Sequence, residues 1–406
     1  MAKPAAHKWE FKPRFRRHAF GWTSQPAITR IKQAVAEIKK VAKKDAVLAA
    51  EGAIEFLERV SPSLEHVDSS SGSIGSAVNG AIAELAPLIG EAPADAKTRD
   101  AWLERLWTAY QDDGIPYIEL LGDFWGALCA SKEVAARWGD RLLDVVRLSW
   151  SPDPKVRGYF KGTPNCLSAL LAAERYDALL ALIELAPYKS WHYRQYGTKA
   201  LAAQGKKSEA IRFAEEGRGL NDNPIAIARA CEEVLLSSGL TDEAYRRYGL
   251  LANQAGTYLA TFRAVTKKYP TKSASEVLAD LVKSTPGEEG KWFAAAKDAE
   301  LFDDALALAR RTPCDPRTLT RAARDYAESN GSFAVGAGLL ALHWLIQGYG
   351  YEVTSADVWD AYRCTMAAGE RQGRAPEVKA KVREMVAAET ASDRFMSKVL
   401  ARELGL

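Results

Sequence analysis

A 34-residue interval carries Gly205 onto Gly239 and Ala210 onto Ala244. The surrounding segments read LAAQGKKSEAIRFAEEG and LLSSGLTDEAYRRYGLL. Each is the apolar end of a helix, a glycine turn, and a second helix whose fifth residue past the glycine is alanine. One helical hairpin cannot bury its apolar face alone, so a fixed period of this size implies that neighbouring hairpins stack. Two further stretches repeat the theme, Glu174–Leu182 (ERYDALLAL) and Glu300–Ala309 (ELFDDALALA). Helix backbones approach to about 8–10 Å where side chains are small, and Ala178, Ala210, Ala244 and Ala305 read as such points. Phe213, Tyr248 and Leu308 would fill the gaps between layers. No run of Val, Ile, Thr or Tyr alternates cleanly over about five residues, as a strand would require. The predicted fold class is all-α, an α-solenoid of stacked helical hairpins with an extended basic N-terminal arm.

Three regions follow from the punctuation: an arm over 1–25, an N-terminal helical region over 26–150, and a repeat region over 159–406. The breaker Ser151–Gly158 (SPDPKVRG) separates the last two. A helix is predicted from Pro26, with Ile28, Ile31, Val35 and Ile38 on one face. Others are predicted over 45–60, 77–90, 98–110, 115–130 and 132–149, with a serine- and glycine-rich loop over 61–76. Trp102, Trp107, Trp125 and Trp138 are read as hairpin core. Asn223 with Pro224, and Asp315 with Pro316, read as N-cap followed by the first helical residue. Ser273 with Glu276 reads as a capping box, and Thr354 with Asp357 as a second. Phe333–Gly348 is apolar but shorter than the roughly 20 residues a bilayer needs, so it reads as a buried core helix.

Net charge is +3 overall, yet residues 1–44 hold twelve Lys/Arg against Glu10 and Glu37, a local +10 that leaves −7 on the rest. Residues 1–25 interleave these cations with aromatics. Lys12, Arg14, Arg16 and Arg17 fit phosphate neutralisation, and Phe15 and Trp22 fit stacking on unpaired bases. The competing expectation is an arm whose aromatics dock on the acidic remainder of the chain. Pro187–Gly197 (PYKSWHYRQYG) is a second aromatic-rich stretch, suited to holding a peptide or to tiling an interface between hairpins.

The segments around Gly205 and Gly239 resemble the tetratricopeptide repeat family, closely over about 190–255 and more loosely over 163–350. That resemblance implies a concave face that binds a protein or peptide, lined by His192, Gln195, Lys199, Arg229 and Glu233. The Lys/Asn/Arg carboxylate clamp of some family members is not reproduced there. Gly290–Leu308 (GKWFAAAKDAELFDDALAL) is similar to the helical region that follows a SWIM zinc finger in some bacterial proteins. The finger's own Cys-x-Cys and Cys-x-His ligands are missing, so no zinc or DNA role carries over. No P-loop, G-x-S-x-G, H-E-x-x-H or strand-borne G-x-G-x-x-G occurs. The five cysteines lack metal-ligand spacing and read as buried apolar residues in a reducing compartment. His66 with Asp68 reads as a solvent-facing loop, and Asp112–Asp113 and Asp303–Asp304 as turn and helix-start residues. The sequence thus predicts a non-enzymatic, cytoplasmic scaffold without cofactor or metal that binds a protein or peptide. The alternative is nucleic-acid binding through residues 1–44, with no membrane partner in either case.

Overall fold

The computed structural model describes residues 7–217, 223–389 and 395–406. These residues are helical throughout their regular structure, and no strand occurs among them. The chain forms two compact units, Met1–Val234 and Leu235–Leu406. The breaker at 151–158 lies inside the first.

In the first unit, α1 (Ser24–Ala42), α2 (Ala46–Ser63), α3 (Ser73–Glu91) and α4 (Ala96–Asp112) are followed by short α5 (Trp125–Cys129) and long α6 (Lys132–Ser149). Two hairpins come next, α7 (Thr163–Ala172) with α8 (Tyr176–Glu184), and α9 (Trp191–Ala203) with α10 (Lys207–Glu216). Four helices here pack on the next and on the next but one: α1 on α2 and α3, α2 on α3 and α4, α5 on α6 and α7, and α7 on α8 and α9. The apolar stripe of α1 behaves as its spacing predicts, with Ile31, Val35 and Ile38 buried. Trp102, Trp125 and Trp138 are buried, and Trp107 bridges the last two at 5.8 and 5.6 Å.

Two local expectations are corrected. The predicted helix over 115–130 is broken into a 3-10 turn (Glu119–Gly122) and α5, because the backbone at Gly122 and Gly126 lies against α7. The loop expected over 61–76 is shorter. Helix α2 runs through Pro62 to Ser63, and α3 begins at Ser73.

From α11 (Pro224–Leu236) the chain passes into the second unit. There α12 (Thr241–Ala244) and α13 (Leu250–Ala252) flank a π-helical turn, Tyr245–Gly249. The unit continues with α14 (Tyr258–Lys268), α15 (Ala274–Ser284), α16 (Phe293–Asp298) and α17 (Phe302–Arg311). It ends with α18 (Pro316–Asp325), α19 (Gly331–Ile346), α20 (Ser355–Arg371), α21 (Ala375–Ala387) and α22 (Phe395–Leu404). The apolar run at 333–348 becomes α19, which packs on α17, α18, α20, α21 and α22. No helix among the described residues is long and apolar enough to cross a membrane. The four predicted caps form: Asn223 accepts from Ala226 N–H, Asp315 from Thr318 N–H, and Ser273 and Thr354 each head a complete capping box.

One turn recurs with the same hydrogen bonds. Glu174, Gly205, Gly239, Glu300 and Gly373 have φ of 57°, 79°, 72°, 59° and 68°. In each case the next residue's N–H returns to the carbonyl five positions back: Arg175 to Leu170, Lys206 to Leu201, Leu240 to Leu235, Leu301 to Ala296 and Arg374 to Gly369. This left-handed cap satisfies carbonyls that a helix end leaves open. The same bond closes α19 at Gly348 and α22 at Gly405, where no helix opens two residues on and, past Gly348, Val353 is half-buried. At the five turns that lead directly into a second helix the fifth residue is buried, as Leu179, Ala210, Ala244, Ala305 and Val378. Here the predicted register needs a shift, since Ala178 is half-buried and Leu179 occupies its place.

Candidate partner-binding surfaces

Helix α9 sorts PYKSWHYRQYG by its 3.6-residue period. Ser190 caps the helix, its hydroxyl oxygen 3.3 Å from the N–H of His192. Arg194, Tyr196, Thr198, Ala200 and Leu201 point inward. His192 and Lys199 are exposed, with half-buried Gln195 between them, so the three form one outward stripe at offsets 0, 3 and 7. Gln195 donates to the carbonyl of His192 at 3.0 Å, and Lys199 Nζ lies 6.0 Å from the Tyr196 ring. On α11, Arg229 and Glu233 are exposed one turn apart. Tyr188 extends the α9 surface at 74% exposure, whereas Tyr193 packs on Trp150 at 5.0 Å.

Several charged groups that look available in sequence are structural. The Arg194 guanidinium lies 3.6 Å from the Phe213 ring centroid and donates to the Phe213 carbonyl at 2.6 and 3.0 Å, capping α10. Burial lowers its pKa, and Glu216 at 3.5 Å opposes that shift. Arg99, 4% exposed, donates to the carbonyls of Ile89, Gly90, Ala92 and Leu128. It thereby closes the C-terminal ends of α3 and α5. The Tyr196 hydroxyl donates to Asp123 at 2.5 Å, and burial with that carboxylate raises its pKa. Asp113 differs from the expected turn residue: it is buried and accepts from Ser61 Oγ and from the N–H of Ile118. Sequence reasoning missed Arg99, Arg194, Asp113 and Asp123. The one available signal was a charged residue at an inward helical position, as for Arg194, three, four and seven residues before buried Gly197, Thr198 and Leu201.

Cys129, Cys166, Cys231 and Cys314 are buried and Cys364 is half-buried. Burial pushes the thiols of Cys129, Cys166 and Cys314 up to about 12, which keeps them protonated and poorly nucleophilic. No group of three or more His, Cys, Asp or Glu side chains able to hold a metal ion occurs among the described residues.

Residues 7–23 lie against the body and do not project as an extended arm. Trp9, Phe11 and Phe15 are buried, Trp9 over Gly52 of α2 and both phenylalanines against Phe56. A Cβ on Gly52 would sit 2.1 Å from the Trp9 ring, so glycine makes the notch. Burial of these rings outweighs the solvation that would favour a free segment, and Phe15 is therefore not presented to a base. Lys12 pairs with Glu55 at 2.5 Å, Arg14 donates to Gln33 at 3.3 Å, and Arg16 donates to the Pro13 carbonyl at 3.0 Å. Arg17 lies 3.6 Å from Glu65. Of the two aromatics expected to stack on bases, Phe15 is buried and Trp22 faces outward, at 73% exposure. His18 and His66 stack at 4.6 Å, with Glu65 3.2 Å from His18 Nδ1.

No known family model matches the sequence, and no curated protein matches it.

Proposed function

We propose that the chain is a non-enzymatic, tetratricopeptide-like α-solenoid scaffold. It would bind a protein or peptide partner along the surface carrying His192, Gln195, Lys199, Arg229 and Glu233. The observation that supports this reading best is the fivefold turn, with its fixed backbone bonds and buried fifth residue. A repeated hairpin whose helices touch their first and second neighbours is the building unit of quasi-one-dimensional arrays, and such arrays expose long continuous surfaces to partners. The protonated, buried thiols and the missing catalytic motifs agree with a role in binding.

The test is site-directed photo-crosslinking in the native cell. A photoreactive residue is placed at Lys199, at Arg229, and at exposed Lys97 on α4 as the control. The same partner should be captured from the first two sites and not from the third, and Lys199→Glu should abolish capture from Arg229. Equal capture at Lys97, or none at Lys199 and Arg229, contradicts the reading.

A further inference from the structure

The N-terminal cations divide by direction. Lys12, Arg17 and Lys39 reach Glu55, Glu65 and Glu84, which belong to α2, the turn after it, and α3. The outward arc of α1 is different. Among the described residues no carboxylate lies within ion-pair distance of Arg14, Arg30, Lys32, Lys40, Lys43 or Lys44, and all six are exposed. Three acids share the neighbourhood, Glu10, Glu37 and Asp45. Glu37 accepts from the N–H groups of Glu10 and Phe11, Asp45 caps α2 through Leu48 N–H, and the Glu10 carboxylate shares a pocket with Glu37, Arg14 and Arg30 without lying within ion-pair distance of either arginine.

These cations form a line. Arg14 and Arg30 both donate to Gln33 Oε1, at 3.3 and 2.8 Å. Gln33 and Lys40 lie two turns apart on one stripe of α1 with Lys32 beside it, and Lys43 and Lys44 follow in the turn after the helix ends at Ala42. At 1.5 Å per residue the helical part, from Gln33 to Ala42, covers about 14 Å, the length of about eight backbone charges on a nucleic-acid duplex. Favourable placement near a helix C-terminus accounts for Lys40, Lys43 and Lys44. It does not account for Arg14, Arg30 and Lys32. The choice between duplex and single strand rests on the aromatics. Single strands are held by stacking on exposed rings, and here Trp9, Phe11 and Phe15 are buried. Trp22 stands at the opposite end of α1 from the lysines. The surface offers charge without a stacking platform beside it, which suits contacts to phosphates that carry no sequence information.

We propose that the outward face of α1, with Arg14 before it and the turn Lys43–Lys44 after it, binds a nucleic-acid duplex through its phosphate backbone without reading sequence. This narrows the interface expected over residues 1–44 to the exposed cations of α1 and its flanks, and leaves out Trp9, Phe11 and Phe15 of the preceding segment, which are buried against α2. It is independent of any partner bound at α9 and α11.

The test uses the full chain and a fluorescent DNA duplex in an anisotropy titration. With about four phosphates engaged, affinity should fall about a hundredfold between about 50 and about 200 mM salt. Lys40→Glu/Lys43→Glu/Lys44→Glu should weaken binding at low salt by at least about tenfold and flatten the salt slope. The neutral Gln triple variant should fall between this variant and the parent. Lys12→Ala/Arg17→Ala, which removes cations that already have partners, should stay within about twofold. Circular dichroism confirms that each variant is folded. Four results would overturn the proposal: no duplex binding at low salt, triple variants within about twofold of the parent, tighter binding to an oligo-dT strand than to the duplex, or capture by phosphatidylserine vesicles without duplex binding.

Discussion

The turn at Gly205 and the stretch from Asp113 to Ser131 lie in the same unit and are built in opposite ways. At Gly205 the interactions are local: a left-handed residue, a bond from Lys206 N–H to the Leu201 carbonyl, and a buried alanine five residues on. Nothing lies within 4 Å of a Cβ built on Gly205, so that glycine serves the backbone. Between Asp113 and Ser131 the partners are remote in sequence. Asp113 is bonded by Ser61, Asp123 by Tyr196 and Ser168, and the Gly126 N–H donates to the hydroxyl oxygen of Ser168. A Cβ on Gly126 would meet the Ser168 carbonyl oxygen at 2.4 Å and Ala172 Cβ at 2.6 Å, so this glycine serves the packing of α5 on α7. The difference teaches that one residue type fills two roles here, with separable energetic consequences.

Substitutions can break that contrast, beginning with the most damaging. Gly126→Val forces a branched side chain into backbone and should cost about 3 kcal/mol or more, read as a shift in urea midpoint. A midpoint unchanged from the parent would show that α5 does not lie against α7. Arg99→Met should cost about 2–3 kcal/mol, because carbonyls at the ends of two helices lose a buried donor. Lys should recover less than half of that loss, since an ammonium does not reproduce the guanidinium fork.

The turns should respond weakly and with predictable sign. Gly205→Ala and Gly239→Ala should each destabilise by about 1 kcal/mol, whereas Glu300→Gly should stabilise by several tenths. Equal signs at Gly205 and Glu300 would show that the two turns are not equivalent.

The smallest effect concerns pH. Arg317 holds the Asp357 carboxyl well below the usual aspartate range, helped by Thr354. A depressed folded pKa contributes stability that is present above the ordinary aspartate value and lost as pH falls through the folded one. Asp357→Asn should therefore lower the melting temperature at neutral pH, with a difference that narrows steadily below about pH 4. A constant difference across that range would assign the effect to the capping box and not to charge.

The sequence was legible where a rule acts over a few residues. Caps at Asn223, Ser273, Asp315 and Thr354, the core character of α19, and the apolar face of α1 all follow from spacing. The Gly205 and Gly239 turns were legible because glycine marks φ > 0. At Glu174 and Glu300 the same conformation is carried by a residue that does not announce it, and this displaced the register at Ala178. The break at 115–130 was not legible, because the helix is interrupted by contacts from α7, which lies far along the chain. The basic segment was half legible. Its charge is plain in composition, but which cations are neutralised depends on Glu55, Glu65 and Glu84, and these are positioned by the packing of α2 and α3.

A stacked-hairpin architecture requires the five turns that open a second helix to be one structure. Amide hydrogen exchange on the intact chain reads this directly, at the N–H groups of Arg175, Lys206, Leu240, Leu301 and Arg374. All five should exchange slowly and gain exchange together as each hairpin opens. Fast exchange at Leu301 or Arg374 beside protection at Lys206 and Leu240 would contradict it, leaving the 34-residue interval as an isolated coincidence of two segments.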